Sequence, residues 1–339
     1  MKKPTAVLIS DIHFTVGTLE LASKALTEAR FRAFSLGVPL IICGDTLDSK
    51  AIMRAECVNA LLDILHYRAY HHVETYVLVG NHDLLNEKGT EHSLRFLENH
   101  CTIINKPTYL SDLKVYALPY IGDTDKLKEI LKAIPDNSTI IMHQGVQTAY
   151  MGHYVQDKTS LPPGDFSRFR VISGHYHQAQ DIGSFTYIGN PYTLTFGEAN
   201  DGLKGYRILN DDGSLESVPL LLRKHLIIER KIENVLGPVP DYSPGDLVWL
   251  KVSGSSIDLE NLNKNEIGEK LFGHSSFKFD KIAYDLPKTA DQSIKNEKLN
   301  NSEMLDHIID QTQETDSIKT HLKSLWRELL NETSNSNSQ

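Results

Sequence analysis

Cysteine is scarce in this chain, with three in 339 residues. Cys43, Cys57 and Cys101 show no paired spacing and no Cys-x-x-Cys. That argues against a disulfide framework and fits reduced thiols in a cytoplasmic protein. Long apolar runs are missing too. None approaches the roughly 20 residues needed to span a bilayer. The opening Met-Lys-Lys-Pro leads into a strand-like segment and not into a secretory apolar core. A basic excess is also absent: the formal net charge is −9, which argues against a general nucleic-acid coat. An enzyme acting on DNA stays open, because bound metal ions offset acidic ligands and a local basic strip suffices. No internal repeat is visible. What remains is a globular composition, 40% hydrophobic and 23% charged, long enough for one sizeable domain and a smaller one.

Within that composition, five short motifs stand out in chain order: Asp11-Ile12-His13, Gly44-Asp45, Gly80-Asn81-His82-Asp83, His143-Gln144 and Gly174-His175-Tyr176-His177. Each follows an apolar run that reads as a strand: residues 6–9, 39–42, 76–79, 139–142 and 170–173. Strands ending in Asp, Asn and His place ligands along one edge of a sheet, where α/β folds and layered sandwiches collect their sites. Singly, each residue has a plainer explanation. An Asp after a strand starts a turn or caps a helix, and a lone His is more often a surface or core residue. The order and shared context make the set specific.

Two divalent ions roughly 3.5–4 Å apart activate a water and clamp the oxygens of a phosphate ester, provided one ligand belongs to both. Asp45 is the natural bridge, since a carboxylate has two oxygens and Gly44 permits a tight turn. Asp11, His13 and His177 complete one ion; Asn81, His143 and His175 complete the other. Imidazole, carboxylate and amide ligands without thiolate favour manganese or iron, then zinc, over calcium. Magnesium suits so many imidazoles poorly. His82 is left over beside a ligand and reads as the proton donor to the leaving oxygen. Asp83 either fixes the tautomer of His82 or caps a helix. Asp48 either orients His82 in the same way or is an acidic residue at a helix N-terminus.

The rest of the chain divides as follows. Residues 1–222 alternate strands with helices at 19–36, 51–70, 93–99 and 126–133, and turn strand-rich and antiparallel after Phe185, with a turn at Asn210-Asp211-Asp212-Gly213. Residues 223–288 form a small β-α-β unit: strands at 247–252 and 277–284 around a helix at 259–271. A polar linker (289–301) precedes a helical segment (302–331) and a Ser/Asn-rich tail, 332–339, expected to be disordered. The fold class is α/β, layered: a β-sandwich flanked by helices, with a small added domain and C-terminal helices. Arg223-Lys224 and Arg230-Lys231 suit either DNA phosphates or a solvated strand edge.

These motifs resemble the calcineurin-like metallophosphoesterase superfamily. More narrowly, they are similar to its SbcD branch of double-strand-break-repair nucleases, through Gly44-Asp45-Thr46-Leu47-Asp48, the three later motifs and Tyr187-Ile188-Gly189-Asn190-Pro191. The likeness covers about residues 5–200, and Gly245–Val252 resembles the opening of that branch's DNA-capping domain. It implies two manganese ions on the ligands named above, His82 as catalytic histidine, and 3′-to-5′ exonuclease action on duplex ends with endonuclease action on single strands and hairpins. It also implies an SbcC-type coiled-coil ATPase partner docking on the 302–331 helices. A homodimer is implied as well, through helices offering Leu61, Leu65, Leu94 and Leu97 unless these face their own sheet. Protein phosphatases of the superfamily carry Gly-Asp-x-x-Asp-Arg-Gly and Gly-Asn-His-Glu; here Ser49-Lys50 follows Asp48 and Asp83 takes the last place. The competing activity is a cyclic-nucleotide or other small-molecule phosphodiesterase or phosphatase on the same fold.

Overall fold

The computed structural model describes residues 2–284 except 51, 71, 87, 88, 90, 153, 154 and 275, and beyond them residues 309 and 318–324. Residues 1–284 make one compact unit and 285–339 a second. The chain begins β1 (Pro4–Ile9), α1 (Leu19–Leu36), β2 (Leu40–Ile42), α2 (Ala55–His66), β3 (Thr75–Leu78) and β4 (Thr102–Ile104). Next come β5 (Thr108–Leu110), β6 (Val115–Leu118), α3 (Thr124–Ala133) and β7 (Thr139–His143). A small ribbon follows, β8 (Tyr150–Gly152) with β9 (Val155–Gln156), and then β10 (Arg170–Gly174), β11 (Gln180–Ile182), β12 (Phe185–Tyr187), β13 (Gly205–Asn210) and β14 (Leu215–Pro219).

These strands build two six-stranded sheets, ordered β14-β13-β1-β2-β3-β4 and β11-β12-β10-β7-β6-β5. This corrects the expectation of a single sheet edge: three motif strands lie in the first sheet and two in the second. Alternation within each strand explains the layers. Val7, Ile9, Leu40, Ile42 and Val77 face α1 and α2, packing on Ala22, Ala25, Leu26, Ala29 and Leu61. Their neighbours Ala6, Leu8, Ile41 and Leu78 face the other sheet and meet Ala117, Ile141 and Ile172. The second sheet turns Ile140, Met142 and Val171 towards Leu127 and Leu131 of α3. The strands are therefore buried on both faces, which is why they read as continuous apolar runs. The later strands meet the antiparallel expectation in part: β13 is antiparallel to β1 and β14, and β12 to β11, whereas β12 runs parallel to β10.

Several local expectations change. The helix over 51–70 begins at Ala55, ends at His66 and is followed by a 3₁₀ turn, Arg68–Tyr70. Residues 93–97 form a 3₁₀ turn and no α-helix. Leu61, Leu65, Leu94 and Leu97 are all buried in the first sheet's core, so these leucines offer no surface to a second copy.

The segment after 223 keeps its own core and sheet. It runs β15 (His225–Lys231), β16 (Leu247–Gly254), α4 (Ser256–Glu260), α5 (Lys264–Phe272) and β17 (Lys278–Ala283). The three strands are parallel in the order β15-β16-β17. The helix expected at 259–271 is two, divided where Asn263 caps α5 by accepting from the N–H groups of Asn265 and Glu266. Val248, Leu250 and Val252 point to Leu259, Ile267 and Phe272, leaving the opposite face of the sheet, with Trp249 and Lys251, open.

The expected linker and tail lie outside the described residues, as do Met304, Leu305, Ile308, Leu325, Trp326 and Leu329 of the expected C-terminal helices. Residues 318–324 are helical, with Ile318 and Leu322 exposed. Among the described residues no helix is long and apolar enough to cross a membrane.

Candidate metal centre

The motif loops of both sheets meet at one place. The first two are laced together by their backbones: Asp11 N–H donates to the carbonyl of Gly44, His13 to Asp45 and Phe14 to Thr46, each at 3.0–3.1 Å. Close approach explains two motif glycines. A side chain at Gly80 would collide with the carboxylate and backbone of Asp45, and one at Gly174 with Ser10 and the Cys43 carbonyl. Four prospective ligands carry left-handed backbones that non-glycine residues seldom adopt: Asp11 (φ 52°), His13 (49°), Asp45 (48°) and His175 (93°). Such strain costs about 1–3 kcal/mol per residue and persists where the surroundings enforce it, which marks functional sites.

Asp11, His13 and His177 form one cluster; Asp45, His143 and His175 form another. In each, one ligand atom per residue lies within 4.8 Å of the others. Asp45 stands between them: its Oδ2 is 3.2 Å from His143 Nε2 and 3.9 Å from His13 Nε2. Its Oδ1 accepts from the His82 N–H at 2.8 Å. Asn81 Oδ1 joins the second cluster, 3.1 Å from His143 Nε2 and 2.8 Å from His175 Nδ1. Asp11 accepts the backbone N–H of His175 at 3.1 Å, tying the first sheet's loop to the second's.

Tautomers show what these groups are built for. His143 Nδ1 lies 2.7 Å from the Cys43 carbonyl, which can only accept, so Nδ1 carries the proton. In the neutral ring Nε2 is then a lone pair, aimed at Asp45 Oδ2 and Asn81 Oδ1, which are themselves acceptors. Likewise His177 Nδ1 donates to Glu198 Oε1 at 2.7 Å, leaving its Nε2 lone pair 3.1 Å from His13 Nε2. The His143 Nε2 lone pair, Asp45 Oδ2 and Asn81 Oδ1 repel one another unless a proton or a cation sits among them, and the residues present fit a divalent ion in each cluster.

Electrostatics agree. Burial would raise the Asp45 carboxyl, but the imidazoles of His143, His13 and His82 outweigh it and hold it well below the usual carboxylate range. Burial would lower His143; Asp45 and Asp11 win and push it up to about 9. His175 falls to about 4, through burial and then the neighbouring His143. Negative potential sufficient to hold a proton on a fully buried imidazole is what a divalent cation would occupy instead.

The remaining site candidates divide. His82 is half-buried, its Nδ1 2.7 Å from the Asp48 carbonyl, an arrangement that fixes one tautomer and frees Nε2. Asp48 thus orients His82 through its backbone; its carboxylate instead lies 3.4 Å from His13 Nδ1. Asp83 neither holds His82 nor caps a helix. It is fully buried and accepts from the N–H groups of Gly80 (3.0 Å), Thr46 (3.3 Å) and Leu47 (3.0 Å), bracing one motif loop against the next. Burial, with Asp45 beside it, pushes its carboxyl up to about 7 against the pull of those donors.

Residues 4–179 match the profile of the calcineurin-like phosphoesterases. The chain belongs to that family. It is a metal-dependent phosphoesterase family with a dinuclear centre, in keeping with the paired clusters here. No curated protein matches the chain. Among solved structures it is similar to a Pseudomonas putida nuclease, MPE (15% identity, TM-score 0.28), over 51% of this chain and 62% of that one, so it spans about three fifths of that protein. It is also similar to an archaeal phosphodiesterase (15% identity, TM-score 0.33), over 65% of this chain and all of that one.

Two carboxylates near this centre escaped the sequence reading. Glu198 accepts from His177 Nδ1, and its second oxygen accepts from Asn190 Nδ2 (3.0 Å) and Leu194 N–H (2.9 Å). Burial would raise it, but His177, Lys204 and Asn190 bring it down to about 2. A carboxylate behind a ligating imidazole fixes its orientation and basicity. Asp157 accepts from the Tyr176 hydroxyl at 2.6 Å and from the N–H groups of Thr159 and Ser160, anchoring the loop that carries His175 and His177. The signal for Glu198 was the Gly189-Asn190-Pro191 stretch, whose Asn190 bonds both Glu198 and Lys204; for Asp157 there was none.

Proposed function

We propose that this chain is a two-metal, manganese-dependent DNA nuclease. It hydrolyses phosphodiester bonds as a 3′-to-5′ exonuclease on duplex ends and an endonuclease on single strands and hairpins, in DNA end processing. The observation that carries the hydrolytic part is the convergence of acceptor atoms around Asp45, with the free Nε2 of His82 beside them. Bound there, two ions would supply a Lewis-acidic clamp on the phosphate oxygens and an acidified water. Asp11, His13, Asp45 and His177 would hold one; Asp45, Asn81, His143 and His175 the other. The chain's own residues do the rest. The Asp48 carbonyl accepts from His82 Nδ1–H, so that the imidazolium form of His82 gives its Nε2 proton to the leaving oxygen and returns to the neutral Nδ1–H ring, and Glu198 keeps His177 in the ligating tautomer. Asp83 and Asp157 hold the loops in register.

DNA as the substrate is supported by the likeness of the motif set to the SbcD branch and by the small parallel-sheet domain after residue 223. The missing arginine after Asp48 speaks against a phosphoprotein substrate. The proposal includes an SbcC-type ATPase docking on the 302–331 helices, a homodimer whose contacts exclude the four buried leucines, and action in the cytoplasm, or host cytoplasm for a viral chain. The test is incubation with manganese and end-labelled linear duplex, with and without the ATPase. Shortening of the labelled strand supports the reading. Hydrolysis of bis-p-nitrophenyl phosphate without any DNA cleavage favours the small-molecule phosphodiesterase instead.

A further inference from the structure

The open face of the three-stranded sheet borders a cleft of about 440 Å³, within the range of small-ligand pockets. Register puts Ile227, Trp249 and Lys278 side by side across it, with Glu229 beside Lys251 one pair further on. Opposite stands Phe196, whose ring meets Trp249 edge-on at 5.4 Å between centroids. Three features are unusual together. Trp249 Nε1 is buried without a hydrogen-bond partner, a donor left unsatisfied at a cost that natural structures seldom accept without a ligand or water. Two ammonium groups rest on the indole, Lys278 at 3.2 Å from its centroid and Lys251 at 4.5 Å. Lys251 also pairs with Glu229 at 3.0 Å.

A bare phosphate suits this cleft poorly, because Glu229 offsets one of the two lysines and the walls are aromatic and aliphatic. Flat apolar walls carrying a donor (Lys251) and an acceptor (Glu229), with Lys278 over the indole, suit a nucleobase, which has a π-face and a polar edge of both kinds. We propose that the cleft takes an unpaired base of a DNA strand, which stacks on Trp249 or Phe196 in the place Lys278 now covers. Base stacking on an indole outweighs an exposed cation–π contact, and the displaced ammonium would be free to pair with a backbone phosphate. The position gives the cleft a purpose. Phe196 and Glu198 belong to a single 3₁₀ turn, Phe196–Glu198. One end of that turn touches the sheet and the other holds His177, so an occupied cleft lies next to the metal centre. This inference rests on DNA being the substrate.

The test measures binding of the full chain, in EDTA, to a fluorescent oligothymidylate of 15 nucleotides and to an abasic strand of equal length. The unmodified strand should bind about tenfold more tightly to the wild-type protein. Trp249→Ala should remove that preference without changing the salt dependence, and Trp249→Phe should retain most of it. Lys278→Gln should weaken both strands and reduce the salt slope by about one. Thymidine monophosphate failing to compete at oligonucleotide-saturating levels would show that a strand, not a free nucleotide, is the ligand. Equal affinity of wild-type protein for the two strands overturns the inference whatever the variants do, as does tight competition by the mononucleotide. Because metal is absent, the result is separate from cleavage. Failure to cut DNA in manganese would overturn the nuclease reading and leave the binding comparison intact.

Discussion

Replacing Glu198 by glutamine separates a designed support of the metal centre from an incidental contact. The carboxylate accepts on both oxygens: His177 Nδ1–H on one, Asn190 Nδ2–H and Leu194 N–H on the other, with Lys204 Nζ 3.6 Å from the second. An amide accepts on one oxygen only. Whichever way it turns, its NH₂ faces a donor, leaving at least one buried donor unsatisfied at about 1–3 kcal/mol. If the oxygen stays on Asn190 and Leu194, His177 loses the partner that fixes its tautomer. Loss of such a support typically costs 10–100-fold in metal affinity, or about 1.4–2.7 kcal/mol. The assay is calorimetric titration of manganese into metal-stripped protein. Glu198→Gln should weaken the ion held by Asp11, His13 and His177 by that factor and leave the Asn81-His143-His175 ion nearly unchanged. Glu198→Asp should recover part of the loss. Two unchanged affinities, or equal weakening of both, would refute the argument that Glu198 acts through His177.

Other variants test other parts. His82→Asn should keep both ions and DNA affinity yet slow turnover by roughly 10²–10⁴-fold, the range for a positioned acid; loss of metal would show His82 to be a ligand. Asp157, nearly inaccessible and hydrogen-bonded to Tyr176, has its carboxyl lowered from 3.8 to about 2. A folded-state pKa below the unfolded one stabilises above the unfolded value, and that contribution disappears as pH falls through the folded one. Asp157→Asn should therefore cost about 1–2 kcal/mol at pH 7, allowing for solvent screening, and the difference from wild type should shrink between about pH 4 and 2 in urea unfolding; a constant difference would count against it. Deleting residues 301–339 should leave manganese-dependent cleavage intact and abolish co-purification with the ATPase, whereas loss of cleavage would place that segment in the catalytic fold.

The prospective ligands were legible because strands buried on both faces are unbroken apolar runs, so an Asp or His within three residues of Ile9, Ile42 or Met142 stands out. That the strands belong to two sheets was not, since a run such as Thr139-Ile140-Ile141-Met142 does not say which neighbour it pairs with. β15 escaped notice because Glu229, Arg230 and Lys231 give half of it the look of a solvated edge. The roles of Glu198 and Asp157 arise from contacts with residues 21 and 19 positions away, and only Glu198 has a nearby signal, the Asn190 that donates to it. Asp83 illustrates a different limit. Its neighbours in sequence suggested a partner for His82, yet the folded chain offers it three backbone N–H groups, two of them from the second motif's loop.

The pair of ions that the two sheets together would hold, with Asp45 serving both, is the centre of the proposed chemistry. Its most direct test is the manganese content of the full chain after equilibration and gel filtration, measured by mass spectrometry beside Asp45→Ala. The account predicts two ions per wild-type chain, and in the variant the loss of both high-affinity sites together with hydrolysis. One ion or none in the wild type, or a variant that retains two and cleaves at the wild-type rate, would contradict it.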